Sequence, residues 1–398
     1  MTIHSEIEEV TIVGVGTMGR EIAQVALLAG YPYVVINDID KDSLEKAKAF
    51  IINGLTKLEE KGKLPINTTA KLLLNNLHEE QDLEKAVESS DIVIEAIPEI
   101  LNLKQEFFKE LSELTPKHTL LASNTSNMRI TDIAKYSNKP DKIFGMHFFT
   151  PIILLRAIEI IKGEKTSSET IKKGKEFAKS LPALKGDRTI IYIEKETPGF
   201  IVNRLTGASS IYLNWLLENS KNFDTTYKEI DAQVVELQRG GLGPYAKWDY
   251  LGLDVVYHSF NYYAETLSPD FAPGERLKSL VKKGKLGKKT GEGFYEWTNN
   301  EKPILDLSKK SDLFDIELFM AIQLNEGCRL IQEGVVKGYK EIDKAVAAAM
   351  EMPGPFSAGK RNYKKWVELL NDFADKSGLE YLYPCELLRS GEFKNMRK

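Results

Sequence analysis

The chain has 398 residues, of which 42% are hydrophobic and 28% charged, with a formal net charge of −4 and a pI near 5.9. That length predicts two or three packed units with cores of their own. The composition excludes a disordered chain, and the slight acidity excludes a global electrostatic footprint for nucleic acid or an anionic membrane.

Two cysteines, Cys328 and Cys385, are too few for a disulfide framework or a zinc cluster and lack metal-ligand spacing. No metal is expected, and a reducing cytoplasm fits best. The first ten residues carry Glu6, Glu8 and Glu9 where a secretory signal would be basic and then apolar. No apolar run reaches the length of a membrane span.

Residues 10–15 form a short apolar run ending in glycines, and residues 18–29 repeat apolar side chains at helical spacing, which predicts strand, tight turn and helix. A second buried strand follows at 33–38, then an amphipathic Lys/Glu helix from near Asp42. Further apolar runs at 92–96, 119–122, 143–146 and 158–161, and a last one at 189–193, alternate with helical segments. This pattern predicts a doubly wound parallel sheet, an α/β Rossmann domain.

Beyond Pro198 the strand alternation stops and long apolar-periodic helices take over, so a domain boundary is placed at 185–197 and an all-α C-terminal region is expected. That region holds an internal repeat. Tyr227-Lys-Glu-Ile-Asp231 recurs 112 residues later as Tyr339-Lys-Glu-Ile-Asp343, and each copy is followed by a Gly-Pro-aromatic step, Gly243-Pro244-Tyr245 and Gly354-Pro355-Phe356. Duplication of a helical unit is the reading, with the polar stretch 299–312 leading into the second copy. The expected division is 1–190 for the nucleotide-binding domain, 191–298 for the first helical unit and 312–398 for the second.

Gly14-Val15-Gly16-Thr17-Met18-Gly19 sits between a predicted strand and a predicted helix, the context of a dinucleotide fingerprint. Its glycines let the backbone turn tightly and approach a pyrophosphate at the helix N-terminus. Asp38, 19 residues after Gly19, ends the second strand, where a carboxylate accepts hydrogen bonds from ribose hydroxyls and repels a 2′-phosphate. NAD is therefore favoured over NADP.

Next in order come Glu95-Ala-Ile-Pro-Glu99 with Lys104, Ser123-Asn-Thr-Ser-Asn127, His147-Phe-Phe-Thr-Pro151, Glu159, and Thr197-Pro-Gly-Phe-Ile-Val-Asn203-Arg204. With these motifs the chain closely resembles the L-3-hydroxyacyl-CoA dehydrogenase family, from the first strand to Lys285-Leu-Gly-Lys-Lys-Thr-Gly-Glu-Gly-Phe-Tyr295. The second helical copy is similar to the duplicated C-terminal unit of larger relatives.

The resemblance implies NAD-dependent interconversion of an (S)-3-hydroxyacyl-CoA and its 3-oxo form. His147 matches the family's general base, a group the reaction needs because a secondary hydroxyl does not lose its proton unaided. Glu159 matches its carboxylate partner, which fixes the tautomer and stabilises imidazolium. Ser123 and Asn203 match residues that hydrogen-bond the reacting oxygen region. Glu99, Lys104 and Lys289 match NAD contacts, and Lys61 matches a basic residue near the coenzyme A phosphates.

The chain departs from the family at Thr150, where Asn is usual and nicotinamide positioning is at stake. It departs also at Gly54, where relatives often carry a serine near coenzyme A, and at Gly241-Leu242, where Pro-Met is common. A monomer or homodimer is expected, since a second helical copy can cover the surface through which single-copy relatives pair. Two alternatives stay open: a dehydrogenase of free hydroxy or sugar acids, and an NAD-binding structural protein without turnover.

Overall fold

The computed structural model describes residues 7–298 and 301–397. Glu6 of the acidic N-terminus and Asn299, the first residue of the polar stretch, lie outside the described residues. The chain divides into two compact units: one comprises the residues up to Phe200 with 334–336 and 341–354, the other 201–333, 337–340 and 355–398. In this packing division residues 341–354 of the second helical copy group with the first unit.

The first unit holds one sheet of β1 (Glu9–Val13), β2 (Tyr33–Asn37), β3 (Leu77–Glu80), β4 (Ile92–Glu95), β5 (Leu120–Ser123), β6 (Ile143–Phe148), β7 (Ala157–Ile161) and β8 (Thr189–Ile193). The strand order is β3-β2-β1-β4-β5-β6-β7-β8. The order 3-2-1-4-5-6 places β1 and β4 at the point where the winding reverses, which opens a crevice beyond their carboxyl ends. The helices are α1 (Thr17–Ala29), α2 (Lys41–Glu60), α3 (Ala70–Leu74), α4 (Leu83–Val87), α5 (Leu101–Leu114), α6 (Ile130–Ile133) and α7 (Ser168–Ser180).

Two features differ from the sequence expectation. The strand β3, Leu-His-Glu-Glu, was not foreseen: it lies at the sheet edge, so it needs no buried face and shows no alternation. The sheet is also not wholly parallel, since β6 and β7 pair antiparallel and β8 follows β7. Residues 149–156 between β6 and β7 are fewer than the dozen or so that a parallel crossover needs.

Amphipathic spacing explains how α2 docks. Its buried residues Leu44, Ala47, Ile51, Leu55 and Leu58 fall three and four apart on one stripe. Its N-cap is Asp40, whose carboxylate accepts the backbone N–H groups of Asp42 and Ser43. That leaves Asp38, two residues earlier, free of any capping duty.

The second unit is helical: α8 (Val202–Asn219), α9 (Tyr227–Leu237), α10 (Pro244–Leu251), α11 (Leu253–Thr266), α12 (Glu275–Lys282), α13 (Ile316–Gln332), α15 (Pro355–Ser377) and α16 (Glu386–Ser390). Helix α14 (Tyr339–Met350) carries the second copy of the repeated motif. In the first copy Asp231 accepts the N–H groups of Tyr245 and Ala246, each at 2.9 Å, and so caps α10. The repeat has a packing reason: a Cβ on Gly243 would collide with Asp231, and one on Gly354 with Asp343. Each copy therefore needs its glycine opposite its aspartate.

Among the described residues no helix is long and apolar enough to cross a membrane.

Candidate active site

The loop from β1 to α1 uses its three glycines differently. Gly14 has φ +85°, and a Cβ there would stand 2.7 Å from the Ala96 carbonyl oxygen of the neighbouring β4 segment. A Cβ on Gly19 would run into the Gly14 carbonyl, which lets α1 pack close against the turn. Beside Gly16 there is open space. Thr17 and Met18 begin α1, whose N-cap Gly16 has no side-chain hydrogen bond and whose first turn has no acidic residue. A helix end of that kind suits a pyrophosphate.

Asp38 follows β2 directly. One carboxylate oxygen accepts the N–H of Val15 at 3.0 Å and the other that of Asp40 at 3.0 Å. Asp38 thus braces the glycine turn while its position beyond the strand end suits ribose hydroxyls. Open space, bare helix end and carboxylate together fit NAD.

The ends of β4 and β5 carry a buried network that sequence reasoning only partly found. Glu95, the last residue of β4, accepts from Lys104 Nζ at 2.5 Å, from Ser123 Oγ at 2.6 Å and from the Ile97 N–H at 2.8 Å. Lys104 also lies 3.2 Å from Glu99. Glu99 in turn accepts from Thr125 Oγ1 at 2.5 Å and from the N–H groups of Ser126 and Asn127.

Burial opposes ionisation of Lys104 and of Glu99, yet the neighbouring opposite charges win. Lys104 is held above its ordinary value by Glu95 and Glu99, and Glu99 below its own by Lys104 and Thr125. Glu95 had no role assigned from sequence, although a glutamate ending an otherwise apolar strand run is a legible signal, because an isolated carboxylate there is costly to bury.

His147 and Glu159 form a cross-strand pair in the antiparallel β6–β7 ladder. His147 Nδ1 lies 2.7 Å from Glu159 Oε2, with His147 3% exposed and Glu159 fully buried. The imidazole packs 4.5 Å from the Phe149 ring and 5.8 Å from that of Phe200. The pair depends on the strand reversal, since only an antiparallel return sets position 159 directly opposite 147. Just beyond β6, Thr150 Oγ1 donates to Glu21 of α1 at 3.0 Å, and the Ile152 N–H donates to the same carboxylate at 2.7 Å. Glu21 was not foreseen, because nothing local marks it.

The first unit therefore brings together Gly14, Gly16, Gly19, Asp38, Glu99, Lys104, Ser123, His147, Thr150 and Glu159. Lys61 stands exposed at the C-terminal end of α2, with Lys57 in the preceding turn. Gly54 faces Gln24 of α1, where any Cβ would strike the Gln24 amide, so the absence of a serine there has a packing reason.

Two predicted residues belong to the second unit. Asn203 lies in the first turn of α8 and is not its cap, which is Ile201. Lys289 is paired with Asp254.

Residues 9–186 match the family model described as 3-hydroxyacyl-CoA dehydrogenase, NAD binding domain, and residues 199–297 match the C-terminal domain of that family. The mitochondrial hydroxyacyl-coenzyme A dehydrogenase of Sus scrofa is 36% identical over 299 residues, covering 73% of this chain and 91% of that protein. A probable 3-hydroxybutyryl-CoA dehydrogenase of Bacillus subtilis is 34% identical over 293 residues, covering 73% of this chain and 98% of that protein. Among solved structures, the 3-hydroxybutyryl-CoA dehydrogenase of Escherichia coli aligns with a TM-score of 0.78 over 97% of this chain and 98% of that one, at 24% identity. That likeness carries the fold through the second helical copy.

Proposed function

The chain belongs to the 3-hydroxyacyl-CoA dehydrogenase family, and we propose that it oxidises a 3-hydroxyacyl-CoA to the 3-oxo thioester with NAD, and runs the reverse, with His147 moving the proton. The observation that carries this reading is the buried 2.7 Å contact between His147 Nδ1 and Glu159. With Nδ1–H donated to Glu159, Nε2 is left with the lone pair that takes the hydroxyl proton and later returns it. Glu159 stabilises the imidazolium formed in between.

NAD supplies the chemistry of hydride transfer. The bare end of α1 with Gly14, Gly16, Thr17, Met18 and Gly19 holds its pyrophosphate and Asp38 its ribose. The Glu99–Lys104 pair fixes the 125–127 turn beside it, and Thr150 and Lys289 complete the proposed contacts. Ser123, whose hydroxyl donates to Glu95 and accepts the Thr125 N–H, lines the reacting oxygen region and leaves the alcohol proton to His147. Asn203 supplies an amide to the substrate oxygen region, and Lys61 a positive charge to the coenzyme A phosphates. The two helical stretches 191–298 and 312–398 are related units, a reading supported by their matched aspartate–glycine steps. The protein acts as a monomer or homodimer in a reducing cytoplasm, consistent with two free thiols.

The test is NADH oxidation with acetoacetyl-CoA, set against free acetoacetate, NADPH and a His147→Gln variant. Turnover with the thioester and NADH, lost in the variant, is expected. Activity with free acids alone would move the protein to the free-acid reading, and tight NADH binding without turnover to the structural one. Analytical ultracentrifugation resolves monomer from dimer.

A further inference from the structure

The sequence contains two cysteines, and the fold brings them side by side. Cys328 lies on α13 and is buried, while Cys385 is half-buried at the N-cap of α16. Cys385 Sγ sits against the turn of α13 that carries Cys328, so the two thiols are neighbours. A buried free cysteine is ordinarily a small apolar filler. Facing a second thiol gives it a chemistry that a filler lacks.

The backbone around the pair is held by several independent contacts. Asn325, one turn before Cys328 on α13, donates from Nδ2 to the carbonyls of Leu382 and Tyr383 at 3.4 and 3.0 Å, and its Oδ1 accepts the Cys385 N–H at 2.8 Å. The Asn325 carbonyl lies 3.7 Å from Cys385 Sγ. Arg329, on the same face of α13, donates to the carbonyls of Tyr381 and Tyr383 at 2.5 and 2.9 Å. The segment 381–385 is thus seated on α13 whatever the sulfurs do.

We infer that Cys328 and Cys385 form a reversible disulfide site, oxidised by a peroxide and reduced by a dithiol, that ties α13 to the segment entering α16. The two sulfurs divide the work by environment. The hydrogen bond from Cys328, aided by the Arg329 charge, holds the Cys385 thiol below its ordinary value, whereas burial pushes the Cys328 thiol up.

Cys385 thiolate therefore attacks the peroxide O–O bond, giving a sulfenic acid and, with one proton, water. The Cys328 thiol then attacks that sulfur: the S–O bond breaks, the S–S bond forms and a second water leaves. The two thiols together lose two electrons and the peroxide gains them. A dithiol reverses the bond by exchange.

The test treats the full-length folded protein with hydrogen peroxide, then denatures and alkylates it. The expected product takes up no alkyl group, is lighter by two hydrogens, yields a joined Cys328–Cys385 peptide and recovers two alkylatable thiols after dithiothreitol. Its Tm rises by about 5 °C over the reduced protein. Neither Cys328→Ser nor Cys385→Ser shows the shift, and Cys385→Ser, at the less buried position, serves if the other variant fails to fold. Two alkylatable thiols after peroxide, oxygen added to Cys385 with Cys328 still free, or a disulfide between two chains would each overturn the inference.

Discussion

The first unit buries two nitrogen bases against glutamates, and they behave as opposites. Lys104 faces Glu95, Glu99 and the Ile97 carbonyl, so every one of its three protons has an acceptor. His147 meets one carboxylate through one ring nitrogen. Lys104 is thereby locked as a cation, and its proton has no reason to leave. His147 keeps a second nitrogen, the one proposed to move the substrate proton. Burial beside a carboxylate does not by itself make an acid–base catalyst; the spare nitrogen of an imidazole with a single partner does.

The sharpest way to break this comparison is His147→Gln, which keeps a hydrogen-bonding side chain opposite Glu159 but removes the base. A kcat loss of roughly 10³- to 10⁴-fold is expected with little change in Tm, read from NADH oxidation and a thermal melt.

Lys104→Met should do the reverse, leaving two buried carboxylates unpaired. It is expected to cost about 3–5 kcal/mol of stability, measured by urea unfolding. The sign with pH follows from the shifts. Glu99 is depressed, so its contribution is present above the ordinary carboxylate range and is lost as pH falls through its folded value, below 4.5. Lys104 is raised, so its contribution holds below 10.5 and is lost only in stronger alkali. The gap between wild type and variant should therefore be widest at neutral pH and narrow in acid.

Glu159→Gln sharpens the role of the single partner. The amide still accepts from Nδ1–H but no longer stabilises imidazolium, so kcat should fall by about 10²-fold and the pH–rate profile should move. If kcat stays at the wild-type value, the carboxylate only positions the ring.

At the glycine turn, Gly16→Ala adds a methyl to open space, at the proposed pyrophosphate site. KM for NADH should rise about tenfold with Tm unchanged, whereas Gly14→Ala, strained at positive φ and crowded by Ala96, should lower Tm as well. The smallest effect is expected from Gly54→Ser: the Gln24 side chain must move aside, at about 1 kcal/mol in a thermal melt, with kcat untouched.

Much of the site is legible in the chain because its elements are local. A glycine turn between strand and helix, an aspartate at the next strand end and a Glu-x4-Lys step each report their surroundings within a few residues. Glu21 escaped because its partner Thr150 is remote in sequence, and a glutamate on a helix carries no local mark. The role of Glu95 is not legible in the sequence because its partners, Lys104 and Ser123, converge on it only when β4, β5 and α5 are assembled. The edge strand β3 escaped because one pairing partner and an exposed face leave no hydrophobic period to read.

Order, periodicity and motif thus indicated by themselves the α/β-then-α architecture and the glycine turn between β1 and α1, and the family resemblance singled out His147 and Glu159 as candidates. Direction and adjacency were decided in three dimensions. The short return after β6 forces an antiparallel β7 and so sets Glu159 opposite His147, because the pleat presents facing side chains only across a paired register. The meeting of Cys328 with Cys385 has the same origin: a helix face and a distant helix cap share a place that no local spacing encodes.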